Sequence, residues 1–374
     1  MIIPTHPLGG WGVKFKMAAW SEAAGRPDNE DSFQLSDNLS AQNWAFTTDE
    51  VVSLDEKGAL LVVCDGMGGM NAGEVASAIA VETIKEWFSP ERLLESVTET
   101  PETISDYIEK AILAADSRMK AEGQKDSDKE GMGSTIVLAW LIGKHVYVGW
   151  CGDSRAYRYN PASGLERISH DHSYVQELVD AGKLMPEQAF NHPHSNIITR
   201  SLGDLRQEAR PDTNYFPLCN NDVLLLCSDG LSGVLRDSEI EAIIANNTHS
   251  MENCRNALWN ESQKKGWQDN VTIALCQVLS GGGTAKAVKK AKEQTGNPSG
   301  KKNTKKIIVF VLIVVLLLLG AYQWGYFSAK EKFLEKQTPE QQIQKTDTTV
   351  NLSVIVAPDQ VRGDTPFMTL SLRA

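Results

Sequence analysis

Four short acidic segments offer the clearest chemistry in this chain: Arg26-Pro-Asp-Asn-Glu-Asp31, Asp65-Gly-Met-Gly-Gly69, Ser228-Asp-Gly230 and Asp269-Asn270. Asp65 follows the apolar run Leu60-Leu-Val-Val-Cys64, and Asp229 follows Val223-Leu-Leu-Leu-Cys-Ser228. Asp269-Asn270 opens the run Val271-Thr-Ile-Ala-Leu-Cys276. Carboxylates at the ends of buried strands are costly unless a positive charge compensates them. Several converging on one place are the usual way to hold hard divalent cations through oxygen ligands. A single Asp-Gly after a strand is an ordinary turn former. Four such segments, one of them carrying an arginine, point instead to a shared site. An arginine among these acids adds a guanidinium that can grip two oxygens at once and keeps its charge.

The elements that must position these residues are legible as apolar runs. Strands are expected over 14–19, 59–64, 134–142, 145–151, 155–159, 223–227 and 271–278. Several are rich in Val, Leu and Ile without alternation, which suits strands covered on both faces. Helices are expected over 72–87, 101–121, 173–181, 237–245 and 251–265. In the first, Val75 and Ile79 share a face that Ala76, Ala80, Ile84 and Trp87 widen. Helices and strands do not alternate strictly, which argues against a Rossmann-like sheet.

The ordered set of motifs resembles the metal-dependent protein phosphatases of the type 2C class. Gly131-Met-Gly-Ser-Thr135, Cys151-Gly-Asp-Ser-Arg-Ala-Tyr157, Ser169-His-Asp-His-Ser173, His192-Pro193 and Asn196-Ile-Ile-Thr-Arg-Ser-Leu-Gly203 extend the match over roughly 14–279. The resemblance implies an α+β fold: a four-layer α-β-β-α sandwich of two antiparallel sheets flanked by helices, with the metals in a cleft at one end. It implies hydrolysis of phosphoserine and phosphothreonine in proteins by a water that two Mn2+ or Mg2+ ions share and activate. Asp65 would bridge both metals, joined by the backbone carbonyl of Gly66. Asp229 and Asp269 would complete the shell of the second metal, and Asp31, with Glu30 as a further candidate, would bind through metal-bound water. Asp153 matches the ligand of a third ion that some members use. Arg26 would bind the substrate phosphoryl group and share in catalysis with Asp65.

One position departs from many eukaryotic members, which carry histidine as a proposed general acid where this chain has Met67. Methionine cannot donate a proton, and Asp-Gly-Met-Gly-Gly is the common bacterial version. His172 is a candidate acid by residue type, with a structural role as the alternative. In the family the stretch 173–202 forms a mobile flap beside the active site.

Composition limits the other readings. The 374 residues exceed the usual single domain, and 41% hydrophobic with 23% charged side chains is ordinary for a globular protein. The net charge of −11 is uneven: residues 281–306 hold eight lysines and one glutamate, leaving 1–280 at about −18. Such an acidic domain is a poor binder of nucleic-acid backbone, which disfavours a two-metal nuclease. Six cysteines without a C-x-x-C pair suit buried thiols in a reducing compartment.

Ile307 to Phe327 carries no formal charge, and as a helix it would span about 31 Å, enough for a bilayer core. Lys301, Lys302, Lys305 and Lys306 precede it, against Lys330 and Lys332 beyond it. The positive-inside rule then expects 1–306 in the cytoplasm and 328–374 outside. The expected organisation is a phosphatase domain over 1–280, a basic flexible linker over 281–306, one transmembrane helix over 307–327 and an extracytoplasmic tail over 328–374. The whole is a single-pass protein of the cytoplasmic membrane. Its expected partners are phosphorylated proteins, among them a serine/threonine kinase and that kinase's substrates, the kinase being an analogy. A phosphoprotein-binding adaptor with the same fold but no catalysis is the alternative, and the full acid set argues against it.

Overall fold

The computed structural model describes residues 12–44, 48–68 and 72–285. The expected span 307–327, the tail, most of the linker and Gly69 lie outside the described residues. Among the described residues no helix is long and apolar enough to cross a membrane.

In chain order the strands are β1 (Lys14–Glu22), β2 (Asp31–Ser36), β3 (Val52–Ser53), β4 (Ala59–Met67), β5 (Gly133–Ser134), β6 (Ile136–Ile142), β7 (His145–Cys151), β8 (Arg155–Asn160), β9 (Gly164–Arg167), β10 (Asp212–Pro217), β11 (Val223–Cys227) and β12 (Val271–Ser280). The α-helices are α1 (Ala72–Trp87), α2 (Pro101–Gly123), α3 (Tyr174–Asp180), α4 (Pro186–Ala189), α5 (Asp229–Ser232), α6 (Asp237–Asn246) and α7 (Met251–Lys264). One sheet runs β3-β1-β12-β11-β8-β9 and the other β10-β7-β6-β4-β2, with β5 pairing β4. All these pairings are antiparallel.

Strand periodicity sorts the core into three layers. On β4, Ala59, Leu61 and Val63 face the space between the sheets, while Leu60, Val62 and Cys64 join the core formed with α1 and α2. On β11 and β12, Leu224, Leu226, Ala274 and Cys276 point inward, and Leu225, Cys227, Ile273 and Leu275 pack under α6 and α7. Strands buried on both faces need no polar alternate, so the sequence reads as continuous apolar runs. The two sheets with helices outside each are the expected four layers.

The helix boundaries follow from caps. Thr100 and Thr103 form a reciprocal capping box ahead of Pro101 in α2, and Ser173 and Ser250 cap α3 and α7. Asp49 reinforces the last of these from a distant loop: it accepts from the Met251 backbone N–H at 2.6 Å and from the Ser250 hydroxyl, and pairs with Lys16 Nζ at 3.5 Å. The apolar face of α1 is shifted from expectation. Ala76, Ala80 and Ile84 are fully buried, whereas Val75, Ile79 and Trp87 lie at the margin. Small alanines let the helix settle closely on the sheet, and Ser77 on that face reaches the Glu30 carbonyl at 2.6 Å.

Besides the two-residue β3 and β5, three strands were not evident as apolar runs: β2, β9 and β10. Each is polar and lies at or beside a sheet edge, where one face or one ladder is free and the hydrophobic signal is weak. All six cysteines are buried and free.

Candidate metal centre and active site

The acidic segments meet at one mouth of the sandwich because both sheets end there. Antiparallel pairing sets Asp31, the first residue of β2, directly opposite Asp65 on β4. From the other sheet, Asp229 opens α5 immediately after β11, and Asp269 stands just before β12. Asp153 lies in the turn from β7 to β8.

Asp31 joins the two sheets. Its Oδ2 accepts from Ser228 Oγ and from Thr272 Oγ1, both at 2.7 Å. The Ser228 hydroxyl oxygen in turn accepts the Thr272 backbone N–H at 3.0 Å. Asp31 Oδ1 is buried with no partner, as is Asp153 Oδ1. Buried oxygens of this kind cost free energy unless something fills their coordination.

The electrostatics agree. Burial, then repulsion from Asp31, Asp229, Asp153 and Asp269, pushes the Asp65 carboxyl well above its ordinary range. Burial lifts Asp31 to about 7, against its two hydroxyl donors. Asp229 rises to about 6, from burial first and then Asp269, and it lies within hydrogen-bonding reach of Asp65. Asp153 is raised well above its usual value by burial and then by Asp229. Carboxylates that repel one another are relieved when a cation enters among them.

The donors are all oxygen, which favours Mg2+ or Mn2+ over zinc. Among the described residues no three His, Cys, Asp or Glu side chains already close on one point as a cage. The fit therefore rests on the two orphaned oxygens and on the shared repulsion.

Backbone contacts hold this geometry. The Asp65 N–H donates to Thr135 Oγ1 at 3.1 Å, and the Asp65 carbonyl accepts from the Thr135 N–H at 2.8 Å and Ser134 Oγ at 2.9 Å. The Gly66 N–H donates to the Glu30 carbonyl at 3.2 Å. A Cβ on Gly66 would stand 2.0 Å from the Gly73 carbonyl oxygen, so only glycine permits this approach. Asn270 fastens the loop carrying Arg26 and Glu30: its Oδ1 accepts the Glu30 N–H at 2.8 Å, and its Nδ2 donates to the carbonyls of Ala23 and Asp28.

Arg26 and Asp269, expected in separate roles, are paired with each other. Arg26 Nη2 lies 2.7 Å from Asp269 Oδ2, and Nε donates to the Gln268 carbonyl at 3.1 Å. The pair is half exposed, at 53% and 41%.

His172 supports the turn bearing Asp153. Its Nδ1 accepts the Gly152 N–H at 3.1 Å, its own N–H donates to the Gly152 carbonyl at 2.9 Å, and Nε2 lies 3.0 Å from Asp212 Oδ2. Both ring nitrogens are engaged by the fold and burial lowers its pKa. Gly152 adopts φ +119°, and a Cβ there would lie 2.6 Å from Thr135 Cβ.

Ser228, Thr272, Thr135 and Asn270 were absent from the candidate set. Ser228 and Asn270 lay inside quoted motifs as neighbours of the acids. Thr272 is signalled only by inward strand parity on β12.

A cavity of about 630 Å3 adjoins the centre. Asp153 and Asp229 line one part, and Val175, Phe190, Ser195 and Arg236 another. The stretch 173–202, with α3 and α4, therefore stands beside the carboxylate basin.

Residues 25–271 match the family described as protein phosphatase 2C. The chain is 33% identical over 219 residues to the serine/threonine phosphatase stp of Listeria welshimeri, covering 58% of this chain and 84% of that protein. The crystal structure of the serine/threonine phosphatase Stp1 from Staphylococcus aureus superposes with a TM-score of 0.62 at 30% identity, covering 75% of this chain and all of that one. The catalytic domain of the serine/threonine protein phosphatase PstP, solved with two manganese ions, gives 0.57 at 28% identity over 72% of this chain and all of that one.

Proposed function

The chain belongs to the protein phosphatase 2C family and is a serine/threonine protein phosphatase; from that premise we propose that its carboxylate basin is a binuclear Mn2+ or Mg2+ centre tethered to the cytoplasmic face of a membrane. The observation that carries the centre is the crowding of buried Asp31 and Asp153 with half-buried Asp65 and Asp229, one oxygen each of Asp31 and Asp153 being left unpartnered. Bound there, the cations supply an activated water and neutralise phosphoryl oxygens.

The side chains divide the remaining work. Asp65, set by Thr135 and Ser134, would hold the cations together with the Gly66 carbonyl. Asp229 and Asp269 would hold the second cation. Asp31, with one oxygen clamped by Ser228 and Thr272 and the other free, would bind through metal-bound water. Asp153 is the candidate for a third ion. Arg26 binds two phosphoryl oxygens and orients the ester for in-line attack. No described side chain in the centre is assigned the proton for the leaving oxygen; Met67 cannot supply it and His172 is committed to the Gly152 turn.

The tether rests on Ile307–Phe327 and its flanking lysines, which favour a domain over 1–280, a basic linker, one span and an outer tail. Its substrates would be phosphoproteins of the cytoplasm, among them products of a serine/threonine kinase.

Phosphoserine, phosphothreonine and phosphotyrosine peptides, offered with and without Mn2+, test the reading. Metal-dependent release of phosphate from the first two is expected. Peptide binding without release in any metal would mark an adaptor and overturn it.

A further inference from the structure

The cavity beside the metal centre has a second cationic end that the chemistry above does not use. At about 630 Å3 it is far larger than a phosphoryl group needs and falls in the usual range for ligand pockets. Its inner carboxylates are accounted for. Asp153 and Asp229 belong to the metal basin. Asp171 is gripped by Arg155, with Nε at 3.0 Å and Nη2 at 2.6 Å, and Asp237 accepts from the Tyr157 hydroxyl at 2.9 Å. Glu187 sits in the exposed first turn of α4.

Arg236 is different. Its guanidinium lies 4.4 Å over the Phe190 ring. Among the described residues no carboxylate forms an ion pair with it. The acid one turn on, Glu239, is occupied by Lys265 Nζ at 2.6 Å and by the Arg236 backbone N–H at 2.9 Å. An arginine stacked on an aromatic ring, with its donors free, is preorganised for an anion.

Its distance from the reaction centre is also set. Asp229 and Arg236 lie seven residues apart on one segment, pinned by the fully buried Leu231 and Leu235. The backbone bonds from Gly233 N–H to the Asp229 carbonyl and from Leu235 N–H to the Leu231 carbonyl keep that segment coiled.

We propose that Arg236, backed by Phe190, is a specificity-determining residue that receives an anionic side chain flanking the phosphorylated residue of the substrate. The shared chemistry is an oxyanion, from a carboxylate or a second phosphoryl group. This rests on the phosphatase reading of the adjoining centre and narrows its substrates to phosphosites with an acidic neighbour. An alternative is that Arg236 only clamps the 173–202 stretch through Phe190; that would affect every substrate alike.

The test uses the full-length chain with Mn2+ and phosphothreonine peptides that differ at one flanking position, scanned on both sides. That position carries Ala, Glu, Lys or a non-hydrolysable phosphonate. The wild type should favour Glu over Ala at one register by about three- to fivefold in kcat/KM, as expected for a partly exposed ion pair. Arg236→Ala should erase the preference, Arg236→Lys should keep most of it, and Arg236→Glu should reverse it toward Lys. A preference confined to the phosphonate would assign the phosphoryl source. A wild type blind to flanking charge overturns the proposal. So does an Arg236→Ala variant that slows all peptides by one factor and leaves their ratios intact. Failure of the wild type to hydrolyse any phosphopeptide in Mn2+ would instead overturn the phosphatase reading, and this proposal with it.

Discussion

Asp31 and Asp65, thirty-four positions apart in the chain, are direct cross-strand partners at the ends of β2 and β4. Like charges facing each other across a ladder are destabilising, and here Asp31 is buried and Asp65 half-buried as well. The fold accepts this conflict at the same place where Ser228 and Thr272 turn one oxygen of Asp31 away and leave the other without a partner.

The first prediction is metal dependence with an opposite effect on stability. EDTA should abolish phosphopeptide hydrolysis, and Mn2+ or Mg2+ should restore it. Asp65→Asn should eliminate turnover, since an amide does not bridge two cations as a carboxylate does. In EDTA the same variant should melt at a higher temperature than wild type, because one buried charge has left a repelling cluster. Full activity in EDTA, or a lower melting point for the variant there, would contradict this account.

The pH dependence of the chelated protein follows from the same groups. Asp31 and Asp229, raised to about 7 and about 6, bind protons more tightly folded than unfolded. Their penalty is absent below the unfolded carboxyl pKa and grows as pH rises toward the folded values. The melting temperature in EDTA should therefore fall between about pH 4 and 7, and saturating Mn2+ should flatten the upper part of that decline. Thermal scans in matched buffers check it; identical profiles with and without Mn2+ would count against cation binding by these acids.

Arg26→Ala should lower kcat/KM toward a phosphothreonine peptide by about 10- to 100-fold, the value of a lost charge-assisted contact. Its effect on metal binding should be small. The Arg26–Asp269 pair is half exposed, so it is worth no more than about 1 kcal/mol. Calorimetric Mn2+ titration should thus shift by less than about fivefold. A larger gain in metal affinity would mean that Arg26 chiefly screens Asp269.

Asp49 offers a test of the fold away from the site. Hydrogen bonds from Ser250 and Met251 outweigh its partial burial and hold its carboxyl below the usual value. Such a group contributes stability above the unfolded pKa and loses it as pH falls through the folded one. Asp49→Ala should cost about 1–2 kcal/mol in urea unfolding at pH 7, the range of a helix cap. The difference from wild type should narrow on acidification below about pH 4. An equal loss at every pH would point to packing instead.

The proposed topology is checked by reporter fusions. A reporter active only in the cytoplasm should work when fused before Lys301, and one active only outside when fused after Ala374. Deleting 307–374 should release a soluble, active domain, since every catalytic motif precedes Val271. A reversed reporter pattern, or an inactive fragment, would overturn the arrangement.

The sequence by itself determined the strands whose residues are apolar on both faces, the helices with capping residues, and the acids that follow them. Those are local signals: periodicity, turn chemistry and a carboxylate set against an apolar run. The edge strand β2 was not among them, because its residues are polar and its partner, β4, decides its conformation. For the same reason the sequence placed Asp31 in no element, and it proved to be the opposite number of Asp65. The contacts that clamp the site, Thr272 and Ser228 on Asp31 and Asn270 on the Arg26 loop, join residues about 200 to 250 positions apart. Only the closing of two sheets over one core brings them within hydrogen-bonding distance. The Arg26–Asp269 pairing and the place of Arg236 over Phe190 were likewise decided there, since charge and ring alone specify no partner until packing supplies one.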